Sequence, residues 1–201
     1  DALPAPAPAA RPRWLLYAWI ALWGVFLLSN LATLERTPNV WVDEARQTDP
    51  AVRLVEGYGL TTRTNPAGED VFYGGYGLLH VVLLAPWIGA FGLSILSVRL
   101  FGFLMFVGAV LLAASGARRH GLIRDERFLL LFVALLLCGY SIVFNFRCGR
   151  TDVTMIAAVS LAWWCASIGR PKLRAASLFG AGVLVTLSGL QAVAWAALGC
   201  A

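Results

Sequence analysis

The sequence predicts an all-α integral membrane protein, a polytopic helical bundle with a long first extracytoplasmic loop that carries short juxtamembrane helices. Two observations lead to this fold class. Hydrophobic residues make up 59% of the chain and charged residues 13%, and the mean hydropathy is +0.74, which is too apolar for a soluble domain of 201 residues. The charges are grouped in short clusters between apolar runs, as in membrane proteins. The net charge of +5 is therefore explained by topology, and no nucleic-acid partner is predicted.

The N-terminal 34 residues divide into a tail and a first membrane span. Residues 1–13 are rich in Ala and Pro, and we expect a disordered cytoplasmic tail there. Residues 14–34 contain no charged residue and match the roughly 20 residues that a helix needs to cross the bilayer. The chain begins without Met and stops within an apolar stretch, so we expect an N-terminal fragment of a longer protein.

The later apolar runs are ordered by the rule that basic loops face the cytoplasm. The run 77–98 contains Pro86 and several glycines, which weaken a straight spanning helix, and it is predicted to be interfacial or re-entrant. The remaining predicted segments are an extracytoplasmic loop at 35–76, spans at 100–117, 128–146, 153–169 and 176–201, cytoplasmic loops at 118–127 and 170–175, and an extracytoplasmic turn at 147–152.

This arrangement places nine basic and three acidic residues inside, against seven basic and eight acidic residues outside. That asymmetry is what the rule expects. It predicts a multi-pass protein of the inner (plasma) membrane with a cytoplasmic N-terminus and an extracytoplasmic site. Had 77–98 spanned, the basic cluster at 118–127 would face outward.

Charged residues at the predicted outer face are the candidates for function. The adjacent acids Asp43 and Glu44 follow the first span, and an ordinary loop acid or helix cap is an equally acceptable reading of them. Arginines bind phosphate oxygens in bidentate fashion, and a nearby carboxylate can take a proton from an attacking hydroxyl, so the combination indicates group transfer. For the arginines, the alternative interpretation is that they anchor to lipid headgroups or pair with the neighbouring acid. The partner residues on this face are Arg99, Arg147, Arg150 and Asp152.

Weaker candidates are residues that would line a groove near the same face. Packing is the favoured interpretation for the aromatic ones, and a hydrogen-bonded packing residue is favoured for the lone histidine. The four cysteines have neither disulfide nor zinc-site spacing, and no metal is predicted. The candidate groove residues are Trp41, Arg46, Tyr73, Tyr76 and His80.

The order of several short motifs resembles that of a known family. WVDEA after the first span is followed by YGGYGLLHVVLLAPW, SVRLFGFL and NFRCGRTD. In order and spacing these motifs resemble the GT-C superfamily of polyprenyl-phosphate-sugar-dependent glycosyltransferases, in particular the protein mannosyltransferase and lipid A aminoarabinose transferase group. The resemblance covers nearly everything from Trp14 onward. The chain departs from the family at 74–78, where the family usually has Pro-Pro-Leu with tyrosines or a glycine-lysine.

The resemblance implies an inverting transfer of a sugar from a polyprenyl-phosphate donor to an extracytoplasmic hydroxyl or amine. It implies Asp43 as the base with Glu44 beside it, and it places Arg99, Arg150 and Asp152 near the donor phosphate and sugar. It requires no cofactor, and a divalent metal is not needed. The implied partners are membrane lipid, the lipid-linked sugar and an acceptor that is a protein, a lipid or a glycan.

Two other functional classes remain open from the residues alone. A transporter or flippase subunit for a lipid-linked or anionic substrate would use the same charges to line a path, although transporters usually place such groups near the midplane. A non-catalytic membrane scaffold would need none of them. Neither the sugar, the acceptor, the lipid length nor the oligomeric state follows from the sequence.

Overall fold

The computed structural model describes residues 12–64, 68–74 and 77–200, without the side chains of 140–142, 195 and 198–200. The protein is mostly helical, with 75% of its residues in helices, so the all-α class is confirmed. The tail predicted at 1–13 lies almost wholly outside the described residues.

Helices and one short hairpin follow one another along the described chain. The hairpin pairs its strands antiparallel, with Thr61 opposite Phe72. The helices are α1 (Arg13–Thr33), α2 (Val42–Val55), α3 (Leu78–Phe91), α4 (Ile95–Arg119), α5 (Glu126–Cys138), α6 (Tyr140–Arg147), α7 (Asp152–Ala166), α8 (Pro171–Ser188) and α9 (Leu190–Cys200), and the strands are β1 (Thr61–Thr62) and β2 (Val71–Phe72).

Two described helices, α1 and α4, are long and apolar enough to cross a bilayer, with 21 and 25 residues. The apolar helices α3 and α7 are shorter, with 14 and 15 residues. The runs predicted as single spans at 128–146 and 176–201 are each divided into two helices, at Gly139 and at Gly189. Gly189 has φ +125°, which a residue with a Cβ rarely adopts, so the chain turns there.

The boundary between the two apolar runs at 77–98 and 100–117 differs from the predicted one. From the sequence, we predicted that Arg99 separates the two apolar segments. In the structure α3 ends at Phe91, and α4 begins at Ile95 after Ser94, whose hydroxyl accepts a 3.0 Å hydrogen bond from the backbone N–H of Ser97. Because Ser94 caps the helix, Arg99 lies within α4 rather than in front of it.

The main hydrophobic core lies where α1, α4, α5, α6 and α7 meet. Phe106 of α4 and Phe146 of α6 stack with ring centroids 4.7 Å apart, and Phe26 of α1 packs against both. A Cβ on Gly102 would lie 2.8 Å from the carbonyl oxygen of Phe146, so only glycine permits this close approach of α4 and α6. The core therefore holds the end of α6, and the turn after it, against α4.

The predicted outer loop contains an amphipathic helix, α2, and the hairpin. The hairpin was not predicted from the sequence. The side chain of Asp49 on α2 accepts hydrogen bonds from Thr62 Oγ1 at 2.7 Å and from the backbone N–H of Arg63 at 2.9 Å. Arg53 of α2 donates to Asp70 at 2.6 Å. These contacts attach the hairpin to α2 and leave the opposite side of that helix to pack on the bundle.

Candidate functional site

The acidic pair opens α2, and its two members face different surroundings. Consecutive residues of a helix point about 100° apart, so Asp43 and Glu44 cannot face the same surface. Glu44 is buried, with 5% of its surface exposed, whereas the side chain of Asp43 is 32% exposed. The two carboxylates therefore lie in different environments, one buried and one open to solvent.

Glu44 forms a buried, bidentate ion pair with Arg99. Arg99 Nε lies 2.8 Å from Glu44 Oε1, and Nη2 lies 2.9 Å from Oε2. Arg99 Nη1 also donates to the carbonyl of Leu34 at 2.9 Å, just after α1. Arg99 has no exposed surface, so a ligand that approaches from outside does not reach it in this arrangement. The direct phosphate contact expected for Arg99 would require this pair to open.

Arg147, at the end of α6, is engaged with the end of α1. It donates to Asn30 Oδ1 at 2.7 Å, to the carbonyl of Thr33 at 3.0 Å and to the carbonyl of Thr37 at 2.7 Å. The carbonyl of Thr33 also accepts from the backbone N–H groups of Arg36 and Thr37, so Arg147 adds a side-chain donor to a helix end that the backbone already closes. Burial lowers the pKa of the Arg147 guanidinium, and the positive charge of Arg99 lowers it further. The predicted phosphate contact of Arg147 would likewise compete with bonds that it already makes.

Arg150 joins the acidic pair to the turn before α7. Its Nη1 lies 3.4 Å from Asp43 Oδ2, across 107 residues of sequence, and its Nε donates to Asp152 Oδ2 at 2.8 Å. The three side chains are 29%, 32% and 26% exposed, in the order Arg150, Asp43 and Asp152. The indole N–H of Trp41 donates to Asp43 Oδ2 at 3.2 Å. The structure thus brings together the acid and the arginine that the sequence placed on one face.

A groove begins beside Arg150 and Asp152 and continues along α7. Its volume is about 590 Å³. Polar groups lie at one end, and the next turns of α7 supply an apolar wall, so the groove suits an amphiphilic molecule with an anionic head. It is lined by Asn145, Arg150, Asp152, Met155, Ile156, Val159, Ser160 and Gln191.

Sequence reasoning missed two residues that build the site. The side-chain oxygen of Gln47 accepts a 2.7 Å hydrogen bond from the backbone N–H of Thr151, and both residues are buried. Gly149 has φ +59°, and a Cβ there would lie 2.7 Å from Val98 Cγ1 and 3.4 Å from Glu44 Oε1. The helical spacing of Glu44 and Gln47 was the available signal for the first, since it places both on one face of α2.

The buried thiol of Cys148 lies in the same turn. Burial raises its pKa, the negative charge of Glu44 raises it further, and the neighbouring arginines oppose the shift. A thiol with a raised pKa carries little thiolate, so Cys148 is not a nucleophile candidate.

The weaker candidates are separated by their surroundings. His80 is fully buried, 2.8 Å from Thr154 Oγ1, and Tyr73 packs against the apolar cluster between α2, α3 and α4, so both have packing positions. Trp41 is half exposed, and its ring lies nearly perpendicular to that of Phe144. Arg46 is exposed on α2, and Tyr76 lies outside the described residues.

No group of three or more His, Cys, Asp or Glu side chains is arranged to hold a metal ion in the described residues. In comparisons with known proteins, no family model matches the chain, and neither a curated protein nor a solved structure is significantly similar to it.

Proposed function

We propose that this protein is a membrane glycosyltransferase that moves a sugar from a polyprenyl-phosphate donor to an extracytoplasmic hydroxyl or amine. The observation that carries the proposal is the 3.4 Å contact between Asp43 Oδ2 and Arg150 Nη1, since Arg150 also lines the polar end of an amphiphilic groove. Both groups are partly exposed, so a ligand has access to the carboxylate and the guanidinium at the same time. Membership of the GT-C superfamily, which the order of the sequence motifs resembles, is part of this proposal.

The reaction needs a base and a group that stabilises the departing phosphate. Asp43 takes the proton of the acceptor O–H or N–H as that oxygen or nitrogen bonds to the anomeric carbon. The bond from the anomeric carbon to the phosphate oxygen breaks on the opposite face of the sugar, and its electron pair leaves with the phosphate. Arg150 donates to that oxygen as its negative charge develops, and Asp152 orients Arg150 through the 2.8 Å bond.

The other predicted site residues hold this arrangement in place. Glu44 and Arg99 attach the start of α2 to α4, and Arg147 attaches the turn before α7 to the end of α1. We assign these three to positioning rather than to contact with the donor, because their hydrogen-bonding groups are already engaged with protein partners.

The membrane arrangement that goes with this function has five crossings, a cytoplasmic N-terminus and the site outside. Asp43 and Asp152 lie in the first turns of α2 and α7, and Arg150 lies in the turn just before α7, so all three are at helix ends, as expected for a site at the membrane surface. Transporters usually bind substrate near the midplane on broken helices, so the position of these charges favours transfer. The apolar wall of the groove still fits a transporter or flippase for a lipid-linked anion, and the test must separate the two.

The test is transfer of radiolabelled sugar from a polyprenyl-phosphate donor by membranes that contain the full-length protein. The wild type should place label on an acceptor, and Arg150→Gln should lower the rate about 100- to 1000-fold, the usual effect of removing a donor to a developing oxyanion. Arg63→Gln is the matched control, since Arg63 pairs with Asp70 on the hairpin. Donor that crosses the membrane unchanged, or an Arg150→Gln variant as fast as the control, would overturn the proposal.

A further inference from the structure

The inward face of α2 is polar where it meets the turn before α7. Glu44, Gln47, Thr48 and Ala51 follow one another at helical spacing, and all four are buried. Two of them bind groups that are distant in sequence: Glu44 binds Arg99, and Gln47 binds Thr151. This face therefore sets where α2 lies relative to the rest of the site.

Two polar contacts connect α2 with the turn at 147–152, and they differ in strength. The contact from Asp43 to Arg150 is 3.4 Å long, and both side chains are about one third exposed. The bond from the Thr151 N–H to Gln47 Oε1 is 2.7 Å long and buried. A short hydrogen bond that is shielded from water constrains its partners more than a long one that water can replace.

The bond of Gln47 reaches the point where the turn becomes helix α7. Thr151 is the N-cap residue of α7, and Asp152 is the first residue of the helix. The first N–H groups of a helix have no partner within the helix, so Gln47 supplies an acceptor that the turn requires. Arg150 and Asp152 flank Thr151 on either side, so a displacement of Thr151 would move both.

We propose that Gln47 is a positioning residue that holds the Asp43 carboxylate at its distance from Arg150 and Asp152. This inference rests on the proposed transferase function and deepens it. Gln47 and Asp43 are one helical turn apart on α2, so the hydrogen bond to Thr151 places the base directly against the donor side of the site. Gln47 itself is buried and does not contact the substrate.

Three variants test this role. Gln47→Met keeps the size of the side chain but removes the acceptor, and Gln47→Glu restores an acceptor oxygen. Thr48→Val is the matched control, because Thr48 is the adjacent buried polar residue and its hydroxyl has no hydrogen-bond partner among the described residues. Any general effect of making this face apolar should appear equally in Thr48→Val.

The kinetic expectation is a loss in kcat without a loss in donor binding. Displacement of a catalytic group by about 1 Å can cost on the order of 100-fold, so Gln47→Met should lower kcat about 10- to 100-fold. The KM for the polyprenyl-phosphate sugar should stay within about twofold of wild type, since Arg150 and Asp152 keep their mutual bond. Thr48→Val should stay close to wild type, and Gln47→Glu should recover only part of the lost kcat, because the carboxylate accepts from Thr151 but is costly to bury.

Hydrogen exchange measured on the same proteins separates this inference from the proposed function. Exchange across 147–152 should be faster in Gln47→Met and unchanged in Thr48→Val. If the wild type transfers sugar but Gln47→Met keeps its kcat, or if Thr48→Val loses as much, the positioning role is wrong. If no variant, including the wild type, transfers sugar, the proposed function fails and so does the catalytic role of Gln47, whatever the exchange shows.

Discussion

Glu44 and Arg99 form a buried ion pair through two parallel hydrogen bonds of 2.8 and 2.9 Å, although 55 residues separate them in sequence. Arg99 has no exposed surface, and Glu44 has 5%. The pair attaches α2 to α4 immediately beside the partly exposed Asp43. Two adjacent acids that look equivalent in the sequence thus divide into one that supports the site and one that faces it.

Removal of one partner of this pair should be strongly destabilising. Glu44→Gln leaves the charge of Arg99 buried without its counter-charge, and breaking a buried pair in this way typically costs about 3 to 5 kcal/mol. Thermal unfolding in detergent should show a large drop for Glu44→Gln. The control Glu56→Gln removes a carboxylate at the other end of α2 that is 51% exposed and lies 3.7 Å from Arg53, and it should have little effect. Equal unfolding temperatures for the two variants would contradict the assignment of Glu44.

Asp43→Asn should have the opposite profile, with activity lost and stability kept. Loss of a general base typically lowers the rate about 100- to 10,000-fold. The contact of Asp43 with Arg150 is long and partly exposed, so its removal should cost less than about 1 kcal/mol. Initial transfer rates and thermal unfolding should be measured on one preparation. An active Asp43→Asn variant would remove Asp43 from the mechanism.

Gly149→Ala should disturb the turn that carries Arg150. The residue has φ +59°, and an added Cβ would lie 2.7 Å from Val98 Cγ1 and 3.4 Å from Glu44 Oε1. The backbone conformation and the overpacking together should cost about 1 to 3 kcal/mol in the free energy of unfolding. Gly169→Ala is the control, because a Cβ there meets nothing within 4 Å. If Gly149→Ala were as stable as Gly169→Ala, the turn would be able to accommodate a Cβ at position 149, and the predicted requirement for glycine would be wrong.

The two halves of the site should be labelled from the same side of the membrane. Asp43→Cys and Asp152→Cys should react with an impermeant maleimide in intact cells, whereas Arg124→Cys, in the predicted cytoplasmic loop, should react only after permeabilisation. The other native cysteines are changed to alanine in these variants, apart from Cys148, which burial and a raised pKa keep unreactive. Positions 43 and 152 labelled from opposite sides would contradict the proposed topology.

Several features of the fold follow from local sequence pattern. An uncharged apolar run is enough to predict α1, since the length of the run and the absence of charge are local properties. The helix in the predicted loop, α2, also agrees with the expectation of short juxtamembrane helices there, which rests on local residues. The division of two predicted spans at Gly139 and Gly189 was not foreseen, because a glycine within an apolar run is compatible with a continuous helix until packing bends it.

The sequence by itself determined that acids and arginines stand close together around Asp43 and at 147–152, two segments that are separated by apolar runs and by other charged loops. Only the tertiary structure decided which of them remain accessible. Arg99 and Arg147 are fully engaged with Glu44 and with the end of α1, whereas Arg150 is partly exposed, lines the groove and contacts Asp43. Hydrophobic periodicity is a local property that can be read along the chain, but a buried ion pair depends on how distant helices pack, and packing also sets the burial that separates a supporting charge from an exposed one.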